Sequence, residues 1–452
     1  MSASRSHPEV GTTPGPAQGP GRARWRVSGA VLAAATLGTA LLTGCGSANK
    51  NASTGGSGGS TGTAATGSAP SGSTAGQAAT GSPILIGVAE PDRGAGNLGS
   101  AMGPGLDGGL YYVNHVLGGI NGHPIKTDMC NSDGTPSVEV NCANKFVSDG
   151  VVAVFDDYDA GFAAEHPILA RASIPIFGVE AADSQDDTSS YDYFFGPPEE
   201  AFAVGPLQVF HQQGMNKVTL TIANAPSAVQ YVDEAINPVA KKLGMNVKVT
   251  YYDPNSANFQ VIASSLLSGN PQMTGIIAGP ESDCTSLLKA LRTNGFNGPV
   301  LMGSCSAYVK ADPSGAVNTY SYSAGWLSSL ASAAPPVIQA QIKAYDAAMA
   351  HTGHSNTDAL GQWAVNSFSG LVDLHDTLKN VSAPYTASTI AAAFPKVANY
   401  QSFMGPVETC SHKEWPGTAS CNKDLLLVKV DSDGKYKSVE PGGFAALDPS
   451  LL

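Results

Sequence analysis

From Ser82 onward, short apolar runs alternate with longer stretches whose apolar residues recur at helical spacing. The runs at 84–88, 151–155, 174–177, 218–222, 247–251, 275–277 and 300–302 predict buried strands. Between them, 106–117, 137–149, 163–172, 228–243, 257–267 and 284–294 predict helices. Alternation of this kind builds mainly parallel sheets flanked by helices, so the predicted fold class is α/β. The order then changes: 320–327 (YSYSAGWL) reads as extended, and 336–351 and 357–379 as long helices. Residues 425–430 and 436–439 return to strands, with Asp433-Gly434 as their hairpin turn. Ligands of such sheets bind beyond the carboxyl ends of the strands. Phe155-Asp156-Asp157 is one such end, and it continues into Tyr158-Asp159-Ala160-Gly161.

The front of the chain follows different rules. Residues 1–26 are polar and carry Arg22, Arg24 and Arg26, 27–42 are apolar with many small residues, and Leu42-Thr43-Gly44-Cys45 follows. A basic region, a short apolar core and small residues before a cut describe a secretory signal over 1–44 rather than a membrane helix. The tetrad resembles the lipobox of bacterial lipoproteins. That resemblance implies that Cys45 receives diacylglycerol, becomes the mature N-terminus and holds the protein on the outer face of the membrane. Residues 46–82 are almost entirely Gly, Ser, Thr and Ala. They cannot form a core, so 45–82 reads as a flexible tether spanning ~30–35 Å.

Charge and cysteines narrow the picture further. The 452 residues carry a formal charge of −12, and loss of a leader bearing Arg5, Arg22, Arg24 and Arg26 against Glu9 takes it to about −15. An acidic exported body argues against nucleic acid and against direct adhesion to anionic lipid. With Cys45 assigned to lipid, six of the seven cysteines remain, in three sequence-local couples: Cys130 with Cys142, Cys284 with Cys305, and Cys410 with Cys421. An oxidising exterior favours bridging them, at about 3 kcal/mol per loop of this size. A zinc site is disfavoured by the spacing and by the lack of a nearby histidine other than His412.

The string Gly118-Gly119-Ile120-Asn121-Gly122-His123-Pro124-Ile125, some thirty residues after the first strand ILIGV, resembles the GGINGRKI turn of the Leu/Ile/Val-type substrate-binding proteins that serve ABC importers. The stretch 151–172, the Ile174-Pro175-Ile176 after it and the segment AGPESDCTSLLKALRTNGFNGPVLMG are also similar, and the likeness covers 83–440. The resemblance implies a type I periplasmic-binding-protein fold with two α/β lobes, a cleft between them and three hinge crossings. These fall near Phe194–Pro198, Ala324–Leu327 and Ser402–Gly405, giving lobe one as 83–196 plus 327–404 and lobe two as 197–326 plus 405–452. It further implies a non-enzymatic, monomeric receptor without cofactor, whose partners are a small-molecule ligand, an ABC permease and its ATPase. A ligand sensor of the same fold, signalling to a membrane partner, is the alternative.

The family's ligand clamp carries over poorly. The serine pair that holds a ligand carboxylate in relatives falls on Asp159 and Ala160, and the next hydroxyl-bearing loop falls on Val179, Glu180, Ala181 and Ala182. In the second lobe the family aromatic falls near Ala228 and Val229, a second aromatic on Pro280, and the acid for the ligand amine near Ser304 or Cys305. Tyr231, Glu281, Tyr308 and Trp326 lie close enough in sequence to substitute. Asp157 and Asp159 in a closed cleft would repel a carboxylate by several kcal/mol. The resemblance and its departures therefore point to a ligand that is cationic, an amide, a polyol, or an amino acid held through its ammonium group. Asp157, Tyr158 and Asp159 are the leading contacts, with one of the acids capping the next helix.

Other motifs carry less. Gly103-Pro104-Gly105-Leu106-Asp107-Gly108 matches G-x-G-x-x-G but does not directly follow a strand. His351 and His354 sit at a helix end, where capping or exposure is the commoner role. A calcium loop lacks the regular spacing, and Asp157 with Asp159 as an acid–base pair is a weak hydrolase signal on its own.

Overall fold

The structure is a computed structural model that describes residues 76, 78–91, 99–159, 161–181, 188–224, 226–253, 256–279 and 281–452. The signal, Cys45, most of the tether, Ala160, Ala182 and Pro280 lie outside the described residues.

Two sheets form separate lobes. The first has five strands in the order β2 (Ile125–Ser132), β1 (Ile84–Pro91), β3 (Val154–Asp156), β4 (Ile176–Gly178) and β5 (Asp192–Phe194), all parallel. The second runs β14 (Tyr436–Ser438), β13 (Asp424–Val430), β10 (Thr319–Ser323), β9 (Val300–Met302), β8 (Met273–Ile276), β6 (Lys217–Ala223), β7 (Asn246–Tyr252), with β15 (Phe444–Ala446) also on β13. Its β6 to β10 part is parallel, whereas β13 to β15 are antiparallel additions; β11 (Tyr400–Gln401) and β12 (Val407–Glu408) form a separate antiparallel pair. The hairpin turn closes through Gly434 N–H to the Asp431 carbonyl at 2.9 Å, with Gly434 at φ 74°. Buried strand residues such as Ile86, Val88, Val154 and Phe177 pack under the flanking helices, as continuous apolar runs in parallel sheets require.

Helices α1 (Gly99–Tyr111), α2 (Pro136–Asp149) and α3 (His166–Ala172) belong to the first lobe. After the first crossing at Gly196–Pro198 come α4 (Ala201–Gln212), α5 (Pro226–Tyr231), α6 (Asn237–Leu243), α7 (Phe259–Leu267) and α8 (Glu281–Thr293), around the second sheet. The chain returns to the first lobe for α9 (Pro336–His351) and the long α10 (Thr357–Leu378), which pack on α1. The third crossing lies later than Ser402–Gly405. Beyond Gly405 the backbone still pairs with the first lobe, where Phe194 N–H donates to the Ala419 carbonyl (3.1 Å) and Cys421 N–H to the Phe194 carbonyl (2.7 Å), while Trp415 packs into the core of the second lobe. The chain enters the second sheet only at Asp424, so the lobe boundary falls near residues 422–424.

All three cysteine couples are bridged: Cys130–Cys142, Cys284–Cys305 and Cys410–Cys421. The glycine run that mimics a nucleotide motif has a packing role instead. A Cβ on Gly105 would lie 2.2 Å from the Ala364 carbonyl oxygen, and one on Gly108 would lie 2.5 Å from Met349 Sδ. Bare glycine on α1 lets α10 approach at backbone distance, and Gly370 does the same against the Phe155 ring (2.7 Å). These contacts fix where the front of α10 sits.

Candidate functional site

The carboxyl ends of β3 and β4 face those of β6 and β8 across a cleft that holds a cavity of about 250 Å³. Lobe one contributes Tyr158, Glu180 and Ala181 from loops after its strands, and Gln362 and Trp363 from α10. Lobe two contributes Phe202, Ala228, Tyr231, Ser304 and Tyr322, and the first crossing adds Pro197 and Glu199.

Each lobe-one group is held by local geometry. Tyr158 takes a left-handed conformation (φ 61°) that turns its ring out of the acidic loop onto Trp363, with centroids 4.6 Å apart. Gly361, at φ 60° and ψ −150°, breaks α10 at its start, which only glycine does at low cost. The helix resumes at Gln362 and Trp363, and both side chains meet the cavity. Glu180 is 6% exposed and its Oε1 accepts from Asn366 Nδ2 of α10 at 2.8 Å. Burial pushes the Glu180 carboxyl up to about 7, with the Asn366 bond opposing.

Opposite them, Tyr322 donates its hydroxyl to the Ile277 carbonyl and sets its ring 5.6 Å from Phe202. Tyr231 is almost fully buried, and burial raises its hydroxyl pKa well above the ordinary value, reinforced by nearby Tyr322 and Glu199. The described walls are therefore aromatic and acidic, with no Lys, Arg or His among the described lining residues.

Of the residues singled out in the sequence, Tyr158, Glu180, Ala181, Ala228, Tyr231 and Ser304 line the cavity. Ala160, Ala182 and Pro280 lie outside the described residues, and Asp157, Asp159, Glu281, Tyr308 and Trp326 turn elsewhere. Asp157 is 3% exposed and faces α10, where Ser367 Oγ lies 2.8 and 2.9 Å from its two oxygens; burial lifts its carboxyl to about 8. Asp159 turns into the lobe, accepting the Gly161 N–H (2.9 Å) while its own N–H donates to Asp156 Oδ1 (2.9 Å). It thereby organises the turn before Phe162 and joins Glu139 and Glu165 in an internal acidic cluster rather than facing a ligand.

Glu281 commits both oxygens to backbone, accepting from Ser306 N–H (2.8 Å) and Ala307 N–H (3.1 Å) beside the Cys284–Cys305 bridge. Trp326 is wholly buried at the second crossing, edge-on to Phe444. Tyr308 is also wholly buried, with its hydroxyl 2.9 Å from Thr319 and Ser321. Direction, not residue type, removed Asp157, Asp159, Glu281 and Trp326 from the cleft. Sequence reasoning missed Gln362, Trp363, Phe202, Tyr322 and Glu199. The one local signal for the first two was a glycine near the start of a helical pattern, directly before an amide and a large aromatic.

Among the described residues, no helix is long and apolar enough to cross a membrane. Comparison with known proteins agrees with the two-lobed architecture. The structure is similar to an ABC transporter substrate-binding protein from Aeropyrum pernix (TM-score 0.62, 16% identity, 81% of this chain and 96% of that one). It is similar to a leucine-binding protein from Thermotoga maritima (0.58, 14%, 82% and 100%). It is also similar to a fatty acid ABC transporter substrate-binding protein from Thermomonospora curvata (0.58, 17%, 84% and 95%). At these identities the likeness establishes the type I fold. No curated protein matches the sequence. A family described as periplasmic binding protein matches residues 83–435, so the chain, two-lobed and with a small-molecule-sized cavity between its lobes, belongs to the periplasmic binding protein family of solute-binding, non-enzymatic proteins.

Proposed function

We propose that this protein is a lipid-anchored extracytoplasmic receptor that captures a small polar molecule in the cleft and delivers it to an ABC importer. The observation that carries this reading is the cavity itself, whose walls come from both lobes and from a crossing between them. A ligand that touches both walls binds the closed form more tightly than the open one, and so shifts the population toward closure. The permease then has a shape to recognise. No chemistry on the ligand is needed, and ATP hydrolysis belongs to the partner.

The test is a thermal-shift screen of the secreted chain against amines, amides, polyols and amino acids. A compound that raises Tm and loses its effect in Trp363→Ala is expected; a library in which nothing stabilises the chain through Trp363 contradicts the receptor reading. Anchoring is tested separately. Cys45→Ser is expected to move the protein from the membrane fraction to the medium, and retention on the membrane would refute lipidation at Cys45.

A further inference from the structure

We infer that the ligand is a protonated amine on an apolar or aromatic body, its N–H groups received by Glu180, Glu199 and Gln362 and its body faced by Tyr158, Tyr231 and Trp363. This rests on the reading of the cleft as the ligand site.

The charge census of the walls comes first. Among the described residues, two carboxylates and no cationic side chain line the cavity. A ligand carboxylate close to either acid would be repelled by it, whereas an ammonium is attracted by the same charge. A simple fatty or branched-chain acid is therefore a poor occupant.

Hydrogen-bonding capacity comes second. Glu180 and Glu199 are acceptors, and Gln362 Oε1 is buried at the cavity without a hydrogen-bond partner. A buried acceptor left unmet is costly, so the ligand must donate. A primary or secondary ammonium does so. A quaternary ammonium satisfies the acids and the rings but brings Gln362 no N–H.

The third element is the aromatic wall. The Tyr158 and Trp363 rings, with centroids 4.6 Å apart, form a continuous surface on lobe one, and Tyr231 faces the cavity from lobe two. Aromatic faces attract a nearby cation and accept an apolar body equally well. A polyol needs hydrogen-bonding partners all around its rim, whereas lobe two offers mainly rings and aliphatic side chains, with Ser304 and tyrosine hydroxyls as the polar exceptions. A cavity of about 250 Å³ limits the body to one ring with a short chain, or its aliphatic equivalent.

Calorimetric titration of the secreted chain with three probes of one shape separates charge from fit: phenethylamine, 2-phenylethanol and phenylacetate. Phenethylamine is expected to bind at least roughly tenfold more tightly than the alcohol, with phenylacetate not saturating. Glu180→Gln keeps an acceptor for Asn366 and is expected to bring the amine down to the affinity of the alcohol. Glu199→Gln, at the crossing, provides a second variant with the same expected direction. Alcohol or carboxylate binding as tightly as the amine, or amine binding unchanged in both variants, overturns the amine assignment and leaves the receptor reading standing. Failure of all three probes to bind also overturns it, and the receptor reading then depends on the Trp363-dependent thermal-shift screen.

Discussion

Trp326→Ala is expected to destabilise the chain by about 3–5 kcal/mol, the range for emptying a large aromatic site in a core. The indole is fully buried, meets Phe444 edge-on at 6.2 Å, and lies so close to Gly443 that a Cβ there would be 2.2 Å from Cζ2. It sits just after β10, where the chain leaves the second sheet, and its backbone N–H donates to the Met404 carbonyl at 2.7 Å. The indole thus packs the second crossing against the β13–β15 layer. Denaturant unfolding of Trp326→Ala should show a lower midpoint. Trp363→Ala, which removes a cavity wall, should leave stability within about 1 kcal/mol and abolish ligand response. A mild Trp326→Ala combined with lost binding would mean that Trp326 serves the cleft after all.

The second large effect concerns pH. Burial raises the carboxyl of Asp157 from 3.8 to about 8 and that of Glu180 from 4.5 to about 7, and it also raises Glu139, Glu165 and Asp373. Between about pH 4.5 and 8 the folded chain therefore holds more protons than the unfolded chain. The resulting stabilisation is complete below the unfolded values and is lost as pH rises through about 7 to 8. At about 1.4 kcal/mol per pH unit and group, and roughly 2–4 °C per kcal/mol, Tm at pH 5 should exceed that at pH 8.5 by at least about 5 °C. Asp157→Asn should flatten part of this slope, because an amide keeps the Ser367 contact without a charge to bury. A Tm that rises from pH 5 to 8.5 would mean that these carboxyls are solvated or paired in the folded state.

The α/β alternation, both long helices of the second half and all three bridges were legible in the sequence, because each leaves a local trace: an apolar run, a helical period, or two cysteines close in sequence. Strand β2 was not legible because it is an edge strand with mostly polar, half-exposed residues (IKTDMCNS). Strand β5 has three residues and begins with Asp192, too short for a pattern. At the site, the loops after β3 and β4 were readable by their place at strand ends, which located Tyr158 and Glu180. The directions of Asp157 and Tyr158 were not readable, since they depend on a left-handed residue and on where α10 lies. That position is set by Gly105, Gly108 and Gly370, more than 250 residues apart at the extremes, through contacts that no single segment encodes. The departure from the family's hydroxyl clamp was visible in the sequence. Its replacement by rings and acids from six separate segments was not.

Closure on a ligand held between both walls is the central claim, and small-angle scattering of the secreted chain during titration with its strongest stabilising compound tests it most directly. The radius of gyration should fall and saturate at one ligand per chain, with no change in Trp363→Ala. Saturated binding at constant radius, or compaction that survives Trp363→Ala, would contradict it.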